Sequence, residues 1–350
     1  MKIRKTIYTI GVMLTFLLVQ AGCDVHEWPI EAEYVPFYLN VDFETAMSEE
    51  EYLYSRSSRA HTGEGAHDIR YVIRAYPMTS DGKVSSEYHS EFVFSKTVES
   101  LGEDYGYRTS LDLPEGRYRL MVWSDFVDRG SVSHKYYDCG NFNSIELYGG
   151  HRANTDYRDA FSGTADIELV STIQEGVEVL ESTVVMTRPL AKYTFISTDL
   201  QEFVSRELLR LSRIEGTTEG EGSRVIDLED YEVVVYYPMY MPDTYNLFTD
   251  KAVNSATGVQ FSSRVIRLSE DEVSLGFDYV FINDDPDAKV TVRVGVFDKE
   301  GTQLAMSESM NIPLKRSVNM LVRGKFMTVE SDGGISIDPS FNGDHNIVLP

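Results

Sequence analysis

The sequence predicts an all-β protein of two tandem β-sandwich domains with one short helix. Three observations lead there. Short apolar–polar alternations, split by Gly, Pro and Asp turns, run along most of the 350 residues. Tyrosine (22 copies) and phenylalanine (17) favour strands over helical bundles. Only one stretch carries a helical period. The length suits two domains of ~100–200 residues each, and no repeat of ~30–45 residues marks a solenoid or propeller.

The elements follow in order. Ile69, Tyr71, Ile73 and Ala75 share one face of a strand, with Arg70, Val72, Arg74 and Tyr76 on the other. Pro77 and Ser80-Asp81-Gly82 end it. Phe92-Val93-Phe94 is a second short strand. Leu113-Pro114-Glu115-Gly116 reads as a turn, and 117–123 as a strand with Tyr118, Leu120 and Val122 on one side. Residues 170–183 are a candidate boundary, dividing a sandwich over 67–175 from one over 176–350. Strand-like runs occupy 184–196 around Arg188-Pro189. Asp199 is placed to cap a helix from 200 to about 213, with Leu200, Phe203, Val204, Leu208 and Leu211 at helical spacing. Strands return at 231–237 and at 288–298. There Val290, Val292, Val294 and Val296 take one face.

The first 22 residues read as an export signal. Lys2, Arg4 and Lys5 precede an apolar run over 7–19, too short to span a ~30 Å hydrocarbon core. Ala21-Gly22-Cys23 closes it and resembles the lipobox of bacterial lipoproteins, with Gln20 where that motif prefers Leu. The resemblance implies cleavage before Cys23, acylation of its thiol, and anchoring in lipid. Residues 23–66 then form an acylated tether and a first strand region. Losing three cations with the signal deepens the formal charge from −24 to −27.

Charge and motifs exclude several functions. With 56 acidic against 32 basic residues, the chain lacks the cationic surface that phosphate backbones require. No zinc-protease, serine-hydrolase elbow, phosphate-loop or dinucleotide motif is present. The seven histidines are scattered singly. Cys139, among Tyr136, Tyr137 and Asp138, reads as a small buried hydrophobe. The acidic runs 283–287 and 154–159 read as loops, because the calcium-loop pattern is missing. The chain is therefore expected to be non-enzymatic, with no cofactor and no metal. The aromatic run 236–248, broken by Pro238 and Pro242, reads as a packed inter-sheet connection or as an exposed stacking surface. Tyr240, Tyr245 and Phe248 are its candidate ligand or partner residues.

Three stretches together carry a family resemblance: Leu113-Pro-Glu-Gly-Arg-Tyr-Arg-Leu-Met-Val-Trp123-Ser-Asp125, Met186-Thr-Arg188-Pro-Leu-Ala191-Lys192, and Gly324-Lys-Phe-Met-Thr328 through Gly333-Gly334-Ile335-Ser-Ile337-Asp338. With the lipobox, they resemble the fimbrillin-type surface lipoproteins of Bacteroidota, which include major and minor fimbrial subunits and their anchors. The resemblance implies two tandem transthyretin-like β-sandwiches and surface display on the outer membrane through lipid on Cys23. It also implies assembly with other fimbrial subunits by strand addition, and adhesion to host or bacterial surface ligands. Polymerising members of that family are trimmed after an N-terminal Arg. Arg56 and Arg59, in a Ser-rich loop, are the candidates here. A surface glycan-binding lipoprotein is the alternative.

Overall fold

The structure is a computed structural model that describes residues 34–46, 66–101, 105–170, 180–215, 225–329 and 346–348. The first half runs β1 (Tyr34–Phe43), β2 (His67–Pro77), β3 (Ser90–Thr97), the one-turn helix α1 (Val98–Leu101), β4 (Tyr107–Pro114), β5 (Gly116–Asp128), β6 (Tyr137–Asp138), β7 (Ile145–Leu147), β8 (Ala160–Leu169) and β9 (Leu180–Met186). The second runs β10 (Leu190–Ser197), α2 (Leu200–Glu215), β11 (Tyr231–Tyr236), β12 (Tyr240–Asn246), β13 (Lys251–Thr257), β14 (Gln260–Arg264), β15 (Ile266–Arg267), β16 (Val273–Phe281), β17 (Lys289–Asp298), β18 (Gln303–Met306), β19 (Met310–Pro313), β20 (Asn319–Gly324) and β21 (Asn346–Val348). The protein is all-β with one substantial helix.

The first sandwich packs sheet β4-β1-β9 on sheet β3-β2-β5-β8. Its core joins Ile69, Tyr71, Ile73 and Ala75 of β2 to Leu120 and Val122 of β5, and to Phe37, Leu39 and Val41 of β1. Period-two alternation puts each set on one face. The Pro114–Gly116 corner carries the chain from one sheet to the other, and Gly116 takes φ +148° there. The second sandwich packs β15-β16-β10-β20-β21 on β14-β11-β17-β18, with β19 also on β17. The four valines 290, 292, 294 and 296 lie in its core with Tyr193, Phe195, Val233 and Val235. Helix α2 lays Leu200 and Phe203 on the same core. The Asp199 carbonyl accepts from Phe203 N at 2.9 Å. Its carboxylate turns to Thr328 N and Oγ1 at 2.8 and 2.7 Å, pinning the segment after β20 to the helix start.

Both sandwiches are wired alike. Their first strands, β1 and β10, each sit between an antiparallel neighbour (β4, β16) and a parallel one (β9, β20).

Two features differ from the sequence expectation. Strand β9 pairs with β1 from Phe37↔Leu180 to Phe43↔Met186, so residues 180–186 complete the first sandwich. The chain therefore passes into the second sandwich at Arg188-Pro189, a strand later than a boundary near 175. In addition, a fifth sheet, β13-β12-β7-β6, takes strands from both halves. Its apolar side meets Val72, Tyr76, Met121 and Trp123 from the back of the first sandwich, and Leu190, Tyr279 and Phe281 from the second. That layer explains why β2 is buried on both faces.

Candidate functional site

Strand β1 occupies a slot. Phe37, Leu39 and Val41 are fully buried, and each such side chain stabilises the fold by ~1.5–3 kcal/mol. Tyr38, Asn40 and Asp42 alternate on the outer side. Pro36 is tolerated because it faces only β4; pairing with β9 begins at Phe37. Polar contacts on the outer side fix the register. Asn40 Nδ2 donates to Glu181 Oε1 at 2.7 Å, and the Arg108 guanidinium lies 4.0 Å over the Tyr38 ring.

The far end of the slot is clamped. Phe43 sits edge-on to Tyr71, Tyr105 and Phe161, with centroids 5.1–6.2 Å away. Glu44 N donates to Met186 O at 2.9 Å. Arg188 Nη1 donates to Thr45 O at 3.1 Å, while its Nε donates to both Asp159 carboxylate oxygens at 2.9 Å. Burial pushes the Asp159 carboxyl up, against the pull of Arg188. Sequence reasoning quoted Arg188 within a motif but gave it no role, because its partners lie 29 and 143 residues away. The segment from β1 to β2 contains Arg56 and Arg59. These two residues and Cys23 lie outside the described residues.

The three aromatic candidates of the 236–248 run do not form one surface. Tyr240 is 65% exposed on β12. Tyr245 is 1% exposed and stacks on Phe281, with centroids 5.6 Å apart and planes at 11°. Its hydroxyl donates to Asp250 and lies 3.1 Å from Ser162 Oγ. Phe248 packs edge-on against Tyr76 at 4.8 Å. In this structure the Tyr245 ring serves the third core and offers no free face.

The constellation most like an active site is a junction. Arg158 Nη1 donates to Asp278 Oδ1 at 2.6 Å, and Tyr237 donates to Asp278 Oδ2 at 2.5 Å. His151 Nε2 lies 2.9 Å from Asp278 Oδ2, and the Tyr193 and Tyr237 hydroxyls are 2.5 Å apart. All five are buried or nearly so, and desolvation drives both phenols well above their ordinary range. The group joins the 151–158 segment to β10, β11 and β16. Cys139 is equally closed: burial pushes its thiol up to about 12, the opposite of nucleophile activation. In the 283–287 loop, Asn283 Oδ1 accepts from Ala252 N of β13 and Asp285 Oδ1 from Asp287 N within the turn.

A family model matches residues 35–350, from β1 onward. The chain belongs to DUF6562, a family of unknown function. No curated protein matches this DUF6562 chain. Among solved structures it is similar to a candidate adhesin from Bacteroides ovatus, at 11% identity and TM-score 0.43, covering 92% of this chain and 98% of that one. It is similar to the fimbrial anchor protein Mfa2 from Porphyromonas gingivalis, at 11% identity and TM-score 0.38, covering 90% and 95%. A fimbrial assembly protein from Parabacteroides distasonis matches at 10% identity and TM-score 0.38, covering 84% and 92%.

Proposed function

We propose that this DUF6562 chain is a non-enzymatic, fimbrial-type surface protein held by lipid on Cys23, with β1 as its exchangeable strand. One observation carries the reading. The strand ahead of the Arg56–Arg59 loop is the middle strand of its sheet, and it supplies three fully buried apolar side chains. Cleavage after Arg56 or Arg59 would free β1 from the rest of the chain. Its departure would expose the facing edges of β4 and β9, with unpaired N–H and C=O groups on both. A strand from a neighbouring subunit could enter if apolar residues at i, i+2 and i+4 fill the places of Phe37, Leu39 and Val41. Retention of β1 and its lipid would instead make the protein a stationary anchor or accessory.

The test uses the full chain nicked by an Arg-specific protease. A fluorescent peptide of residues 34–46 should exchange into the nicked protein and raise its polarisation. The same peptide with Leu39→Asp should not. Equal binding of both peptides sinks the strand-exchange reading. Intact mass of the surface form separates the two roles, since a start after Arg56 or Arg59 marks a subunit and an acylated Cys23 marks an anchor. Cys23→Ala should release the protein from the membrane fraction.

A further inference from the structure

A second surface feature stands apart from the β1 slot and does not rest on the strand-exchange reading. Between the β2–β3 loop and the β6–β7 segment lies a cleft of about 310 Å³, lined by Arg74, Tyr76, Ser86, Glu87, Tyr88, Gly140, Asn141 and Asn143. That volume falls at the small end of ligand clefts, ~300–1,000 Å³. Its aromatic wall is built, not incidental. Tyr88 is 44% exposed, yet the Arg74 guanidinium lies 4.9 Å from its ring centroid and Tyr76 packs against it in a T-shaped pair, centroids 6.0 Å apart. Arg74 is itself only 4% exposed. It is held by Glu91 at 2.8 Å, by Gly140 O at 3.0 Å, and over Phe142 at 4.2 Å. A ring fixed this way loses little freedom when a ligand lands on it.

The polar rim is open. The Asn141 Oδ1 accepts from Asn143 N at 3.0 Å, which ties the side chain to its own turn. The Asn143 amide and the Glu87 carboxylate make no hydrogen bond or ion pair among the described residues. Donors and acceptors therefore stand beside a half-exposed aromatic ring.

Charge selects the ligand. Glu91 neutralises Arg74, and Glu87 remains, on a chain of net charge −24, so anions are disfavoured. A cation would have to approach the fixed guanidinium already lying over Tyr88. What remains is a neutral molecule with one apolar face and a rim of hydroxyls. We infer that this cleft binds a neutral saccharide, with Tyr88 as the stacking platform and Asn141, Asn143 and Glu87 reading vicinal hydroxyls.

The test is an array of neutral, carboxylated and sulfated oligosaccharides probed with the exported chain, followed by titration of the best neutral probe. Tyr88→Ala should weaken binding about tenfold or more, as loss of an aromatic stacking partner does. Asn143→Ala should also weaken it, and Ile214→Ala, at an exposed position of α2, should leave it unchanged. Circular dichroism on each variant separates lost binding from lost fold, and Tyr88→Phe should retain affinity if stacking is the cause. The inference is overturned if no neutral probe binds, if only charged glycans or a lysine-rich peptide bind, or if folded Tyr88→Ala binds like the parent. None of these outcomes depends on whether β1 exchanges.

Discussion

Tyr237 and Cys139 show how far the interior suppresses ionisation. Desolvation is the largest cause of the upward shift at Tyr71, Tyr137, Tyr193, Tyr231, Tyr237 and Tyr245. Their ordinary value is 10.0, and the folded values lie above it. Between the two, the folded state holds protons that the unfolded state releases. Stability is thus fully present below pH ~10 and falls as pH rises beyond it. Absorbance titration at alkaline pH should show these phenols ionising together with loss of the far-ultraviolet β signal. Smooth ionisation of all tyrosines with the fold intact would contradict this. Cys139 should likewise resist a thiol reagent until denaturant is added, because its thiol is pushed up to about 12. The sequence indicated this burial, since Cys139 stands among aromatic neighbours; His134 Nδ1 lies 4.0 Å from its Sγ, yet burial keeps the thiol protonated.

At the level of single elements, β1 is the sharpest case. Leu39→Ala should cost about 2–5 kcal/mol in urea unfolding, because the cavity would sit between two sheets. Tyr38→Ala, on the outer side, should cost far less. The two-faced pattern of β2 and the valines of β17 were legible in the sequence, whereas β1 was foreseen only as a first strand region within 23–66. The position of β1 in its sheet was not legible, because its partners lie some 70 and 140 residues downstream. The 236–248 run shows the opposite difficulty. Pro242 argues locally against a central strand, but β12 carries register shifts at Pro242–Thr244 and its inner neighbour β7 pairs only at Thr244 and Tyr245. The missing donor is therefore never required. The span of helix α2 was legible because its period is local; the role of the Asp199 carboxylate was not, since it turns to Thr328, 129 residues on. The cleft at Tyr88 was not, since its walls come from two loops about 50 residues apart.

Across the whole molecule, the junction and the shared β13-β12-β7-β6 sheet join the two sandwiches. Arg158→Met leaves the Asp278 carboxylate buried and uncompensated, and removal of one partner from a buried pair costs about 3–5 kcal/mol. Calorimetry should then resolve two transitions where the parent shows one. A single transition, merely shifted, would mean that the third core alone couples the halves. The negative surface adds a long-range term. Exposed like charges repel within a Debye length of ~8 Å at physiological salt, so this negative surface opposes nonspecific clumping of copies.

The wiring of β1 also has a mechanical consequence. The strand begins at Tyr34, eleven residues after Cys23, and is flanked on both sides from Phe37 to Val41. Tension applied from a membrane anchor would enter the fold along this strand. Pulled along its own axis, β1 would shear both ladders at once instead of peeling one rung at a time. Resistance to such a load is governed by the unfolding rate, and not by equilibrium stability.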